Sequence, residues 1–266
     1  MDRFVSIGLE PVPAADAAVN ALSSTVFYGK GVFTNVRIHE CVPFLWEKHW
    51  KRLCLGLKRL GIDNSDVSGK EILGSLTALL HRNERKDGRA RIAVLDNDLM
   101  GPWNGRRSIG PTALITTADH RTPADRHCLA ISPYDINSKS PLNGVKSCNY
   151  LEPLMALDEA KGRGFNEALR LNESGEIASG CVSNVFWSNG ERLFTPSLKT
   201  GCLPGTTREF VIENLECEEV EAGIEALREV DDIFLTSAGI GIVQAAEFDG
   251  RILRRREHPI KKVLPF

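Results

Sequence analysis

Apolar residues recur at three- and four-residue steps at Trp46, Trp50, Leu53, Leu57 and Leu60, which predicts a helix from Trp46 to Leu60 with one buried stripe. Ile72, Leu73, Leu76, Leu79 and Leu80 repeat that spacing and predict a second helix over Ser68–Arg82. A third, amphipathic helix is predicted over Leu151–Lys161. Short apolar runs predict strands at Arg89–Leu95, Thr112–Thr116, Glu167–Leu171 and Asp231–Thr236, with Glu173-Ser174-Gly175 as a turn, and a second unit begins at Cys128-Leu129-Ala130-Ile131. Thr25–Ile38 reads as strand-rich, with Gly29 and Gly31 as permissive backbone points. Val185-Phe186-Trp187 and Leu193-Phe194-Thr195 read as a strand pair around the turn Ser188-Asn189-Gly190. Leu203-Pro204-Gly205 then breaks the chain. Thr206-Thr207-Arg208-Glu209 opens a helix with a Thr-x-x-Glu capping box ahead of Phe210-Val211-Ile212.

These elements describe an α/β (α+β) chain in two parts. Residues 1–118 form a small N-terminal α/β domain. Residues 119–127 are polar, contain Pro123 and serve as the linker, and 128–266 form a larger C-terminal domain. A length of 266 residues permits that division. The chain has no internal repeat. Lys plus Arg total 33 against 35 Asp plus Glu, so charge suggests neither nucleic acid nor an anionic membrane as partner. The basic cluster Arg251–Arg256 is short and reads as a solvated face or an interface. No apolar run has membrane-spanning length, and the N-terminus lacks a signal-like pattern, so a cytoplasmic location is expected. The seven cysteines are scattered without a Cys-x-x-Cys pair, which fits reduced thiols. The histidines show no ligand spacing, so no metal is expected.

The chemistry concentrates at the start of the helix at Thr206. Two hydroxyls and free backbone N–H groups there can seat a phosphate. On the local pattern alone, an ordinary capped helix is the commoner explanation. The wording of the segment changes the balance. Ser183-Asn184-Val185-Phe186, Thr195-Pro196 and Leu203-Pro204-Gly205-Thr206-Thr207-Arg208 together resemble the class IV aminotransferases. These are the fold-type IV pyridoxal-phosphate enzymes, which include branched-chain and D-amino-acid aminotransferases and aminodeoxychorismate lyases. Phe27–Phe33 with His49–Leu53, Lys146–Leu151, and Phe234–Gly239 with Phe248-Asp249-Gly250 resemble further family segments, in family order.

The resemblance implies a two-domain fold with pyridoxal 5'-phosphate between the domains, and a homodimer. It makes Lys146 the Schiff-base lysine, which would also move protons. Arg52 would bind the phosphate, for which a planar guanidinium fork is suited. Thr206, Thr207, Ser237 and Ala238 would bind it too, with Ala238 standing where many members carry a hydroxyl. Leu203 would pack on the cofactor ring, and Tyr150 is similar to a ring-contacting tyrosine. Ser179 aligns with the family's glutamate at the pyridine nitrogen. A neutral serine cannot supply that anion, so the ring should be a weaker electron sink.

Phe33-Thr34, Asn149-Tyr150-Leu151-Glu152 and Phe186-Trp187 are similar to the lyase branch, and Thr34 would be its candidate for handling a proton. Most family members are transaminases. The expected function is therefore amino transfer between an amino acid and a 2-oxo acid, with aminodeoxychorismate lyase as the alternative. A third reading is a non-catalytic protein that binds the cofactor, and Lys146→Ala separates it, since turnover dies only in an enzyme.

Overall fold

The expected helix at Trp46 exists with the bounds its periodicity predicts. The computed structural model describes residues 2–65, 67–100, 106–107 and 109–266. Contacts divide the chain into two units, Met1–Arg121 with Val145–Tyr150, and Thr122–Gly144 with Leu151–Phe266. The segment carrying Lys146, which sequence reasoning assigns to the C-terminal domain, therefore packs with the first unit.

In the first unit, β1 (Phe4–Ile7), β2 (Glu10–Pro13), α1 (Ser24–Tyr28), β3 (Gly31–His39) and β4 (Val42–Pro43) precede two longer helices. These are α2 (Trp46–Leu60) and α3 (Gly69–Arg82). β5 (Gly88–Asp96), the small pair β6 (Leu99–Met100) and β7 (Arg106–Arg107), and β8 (Pro111–Ala118) follow. The main sheet is antiparallel in the order β2-β1-β8-β5-β3-β4. Alternation along β3 sorts its side chains. Val32, Val36 and Ile38 face an apolar cluster shared with Leu53 and Leu57 of α2 and Ile72, Leu76 and Leu79 of α3, with the buried Thr34 and His49 between the same two elements. Each such leucine contributes on the order of 2 kcal/mol by leaving water. Phe33 faces the other way, with Ala93, Leu95, Cys148 and Tyr150.

The strand-rich reading of Thr25–Ile38 is corrected at its start. Residues 24–28 are helical because Ser23 caps them, its Oγ accepting from Val26 N at 3.3 Å, and Gly29 ends them at φ 64°. Gly29 also admits the chain carrying Lys146, since a Cβ there would stand 3.0 Å from the Asn149 backbone.

The second unit holds β9 (Cys128–Ile131), α4 (Leu151–Gly162), β10 (Glu167–Leu171), β11 (Ile177–Gly180), β12 (Asn184–Asn189), β13 (Arg192–Pro196) and α5 (Thr206–Asn214). It continues with β14 (Glu218–Val220), β15 (Asp232–Ser237), β16 (Gly241–Gln244), β17 (Glu247–Phe248) and β18 (Arg251–Ile252). Two mixed sheets form, β11-β10-β9-β17-β18 and β14-β13-β12-β15-β16. Leu129, Leu169 and Ile177 of the first sheet pack with Val185, Trp187, Ile233 and Leu235 of the second. Phe186 and Phe234 point the other way, toward Val211 of α5. Ala156, Leu157 and Ala160 of α4 pack on Ala130 and Ala168. No described helix is long and apolar enough to cross a membrane.

Candidate active site

In the first unit the backbone itself places Lys146. Phe33 N donates to Lys146 O at 2.9 Å and Cys148 N to Gly31 O at 2.8 Å, with Val32 and Ser147 forming an isolated antiparallel bridge. The lysine segment thus lies along the edge of β3, pinned by a strand distant in sequence. Its side chain turns onto aromatic faces. Nζ stands 4.5 Å from the Phe33 ring centre and 4.4 Å from that of Tyr150, and donates to Tyr150 Oη at 3.2 Å. Phe33 and Tyr150 meet edge to face at 5.1 Å. Among the described residues, no carboxylate pairs with Lys146. Burial, and then the charges of Arg52 and Arg91, hold its pKa well below the ordinary lysine value. The result is an amine with a much larger neutral fraction than a surface lysine has, which is the form that attacks a carbonyl.

Two arginines supply that positive field. Arg91 stacks on Phe33 with its guanidinium carbon 3.7 Å from the ring centre. Arg52 lies one helical turn after His49 on α2 and donates to Thr34 Oγ1 at 2.7 Å. Thr34 Oγ1 is also 2.6 Å from His49 Nδ1. The structure therefore brings Lys146, Tyr150, Arg52 and Thr34 together in one unit.

In the second unit, α5 begins one residue earlier than a Thr206-capped helix would. Its cap is Gly205, so Thr206 and Thr207 are already inside the first turn, and both are buried. Asn184, at the start of β12, pairs with Thr236 of β15 and donates from Nδ2 to Leu203 O at 2.8 Å. A Cβ on Gly205 would run into Asn184 Oδ1. Asn184 thereby joins the Leu203–Gly205 turn to the strand that ends at Ser237, and Ala238 follows in the adjoining turn. Arg208 does not point to the helix start. It donates to Pro196 O at 2.8 Å and pairs with Glu219 at 2.5 Å, tying α5 to β13 and β14. Leu203 is half-buried rather than a core residue.

Ser179 lies on β11. Its Oγ donates to Gly180 O at 2.7 Å, and its cross-strand partner is Arg170. Arg170 is buried and held by Glu152 and by the carbonyls of Tyr134 and Asp135. No carboxylate occupies position 179.

Sequence reasoning missed His49, Arg91 and Asn184 as contributors. The His49-x-x-Arg52 step on one helix face was a usable signal. Nothing local marks Arg91, whose neighbour Phe33 comes from another strand.

The amino-transferase class IV family matches residues 31–248, and the chain belongs to it. Aminodeoxychorismate lyase of Bacillus subtilis (strain 168) is 33% identical over 244 residues, covering 86% of this chain and 80% of that protein. The branched-chain-amino-acid aminotransferase of Salmonella typhimurium is 26% identical over 267 residues, covering 91% of this chain and 83% of that one. The fold also matches the branched-chain aminotransferase of Thermoproteus uzoniensis, with a TM-score of 0.90 at 24% identity over 99% of this chain and 92% of the other. The family consists of pyridoxal-phosphate-dependent aminotransferases and lyases built on this α/β fold. The residues present fit that cofactor. A depressed lysine suits its aldehyde, and Arg52 and the first turn of α5 are each suited to a phosphate.

Proposed function

We propose that this chain moves an amino group between an amino acid and a 2-oxo acid, with pyridoxal phosphate held on Lys146. The observation that carries the reading is the Lys146 amine, packed on Phe33 and Tyr150, depressed in pKa and without a carboxylate partner among the described residues. When bound, the cofactor supplies an electron sink for the pair left behind by the departing Cα proton. Once an amino acid's amine has displaced it from the cofactor, Lys146 Nζ would be the free base that takes the Cα proton and gives it back. Tyr150 Oη orients Nζ for the transfer.

On this reading Arg52 would serve the phosphate, and the same role is assigned to Thr206, Thr207 and the backbone N–H groups of Ser237 and Ala238. Leu203 would pack on the ring, and Ser179 would offer the ring nitrogen a neutral hydroxyl. A homodimer belongs to the same reading. It is supported by exposed apolar side chains at Val26, Phe27 and Tyr28 on α1 and at Leu151, Leu154 and Met155 on α4. A cytoplasmic location is consistent with seven free thiols.

The test is a visible spectrum of the holoprotein during addition of single amino acids without any oxo acid. Conversion of the lysine-bound cofactor to its pyridoxamine form supports amino transfer. A spectrum that never converts across the amino-acid panel counts against it. The second reading, aminodeoxychorismate lyase, is favoured by the 33% identical relative and by the absence of a carboxylate at Ser179. Release of pyruvate from aminodeoxychorismate is its assay.

A further inference from the structure

The Thr34 hydroxyl is fully buried and sits between two side chains of α2. Arg52 Nη2 donates to its oxygen at 2.7 Å, and a guanidinium can only donate. The same oxygen lies 2.6 Å from His49 Nδ1. Among the described residues these are its hydrogen-bonding neighbours. A buried hydroxyl proton needs an acceptor, and Nδ1 is the one at hand. Nδ1 therefore carries no hydrogen, and the ring holds its proton on Nε2. Burial, and then the nearby charges of Arg52 and Lys146, independently keep this imidazole neutral by pushing its pKa well below the ordinary value.

We propose that His49 and Thr34 are positioning residues that fix the Arg52 guanidinium for a phosphate, and that the Thr34 proton is committed to His49 and takes no part in the reaction. The inference rests on the assignment of Arg52 to the cofactor phosphate. Its physical sense lies in the charges. A carboxylate at position 34 would orient Arg52 but also offset its charge. A hydroxyl backed by a neutral imidazole orients the fork without itself offsetting its charge.

The test compares binding of pyridoxal phosphate and of pyridoxal, which lacks the phosphate, to the full chain freed of cofactor. Wild type, Thr34→Val, Thr34→Ser and Arg52→Met are each titrated by absorbance. Thr34→Val should bind pyridoxal phosphate about tenfold more weakly or worse, since a bond to a charged group is lost. It should bind pyridoxal as wild type does, and Thr34→Ser should restore phosphate-dependent affinity. If Arg52→Met is weakened while Thr34→Val is not, the positioning role is overturned and the Arg52 assignment stands. If Arg52→Met also binds as wild type, the phosphate assignment fails and the inference fails with it. Equal weakening toward both ligands in Thr34→Val would mean general packing damage and would also overturn the role. Nitrogen-15 spectra of His49 in the wild-type protein give a second readout. The Nε2–H tautomer supports the assignment, and an Nδ1–H or doubly protonated ring at neutral pH contradicts it.

Discussion

Arg91→Met should raise the pKa of Lys146. Lys146 Nζ is 4.5 Å and the Arg91 guanidinium carbon 3.7 Å from the same Phe33 ring centre, so the two charges are at most about 8 Å apart. At an effective dielectric near 20 their repulsion is about 2 kcal/mol, and about half that if solvent around the partly exposed arginine doubles the dielectric. Removing the arginine should therefore favour the ammonium by about 1–2 kcal/mol. Its sign is fixed, because removing a neighbouring cation stabilises the ammonium. Burial is the larger cause of the depression and persists in the variant, so Lys146 stays below the ordinary lysine value. The assay is the rate of pyridoxal condensation with cofactor-free protein as a function of pH, which follows the neutral amine. The midpoint should move up in Arg91→Met and stay near wild type in Arg91→Lys. A midpoint that does not move, or moves down, refutes the claim that Arg91 acts on Lys146 through charge.

Gly205→Ala should displace the start of α5, because the added methyl meets Asn184 Oδ1. Pyridoxal-phosphate affinity should fall about tenfold in absorbance titrations, and unchanged affinity would detach this turn from the site. His49 makes stability pH-dependent. The unfolded chain protonates it below its ordinary value of 6.5 and the folded chain does not, so stability is retained above that pH and falls below it. Urea midpoints at about pH 5 and about pH 7.5 should differ less in His49→Asn than in wild type. Phe186→Ala empties a fully buried position beside Val211 and Phe234 and should cost about 3–5 kcal/mol in urea unfolding.

Much of the local architecture was legible because local patterns encode it. The apolar steps of Trp46–Leu60 reproduce the bounds of α2, and the run Glu167–Leu171 reproduces β10. Boundaries failed where capping decided them. Ser23 with Gly29 makes a short helix inside a β-rich stretch, and Gly205 rather than Thr206 caps α5. The resemblance named Lys146, but no local pattern indicates that its segment bridges to β3, because that register joins Val32 to Ser147 across more than a hundred residues. Arg91 escaped for the same reason, since its stacking partner belongs to another strand. Thr34 was found by motif, yet its chemistry depends on His49 and Arg52, which only the packing of α2 on β3 brings to it.

The central claim is that Lys146 holds the cofactor. Borohydride reduction of the holoprotein, followed by proteolysis and mass spectrometry, tests it most directly. The account predicts a phosphopyridoxyl group on the peptide containing Lys146 and on no other lysine. A label on a different lysine, or none on protein that retains the cofactor, would contradict it.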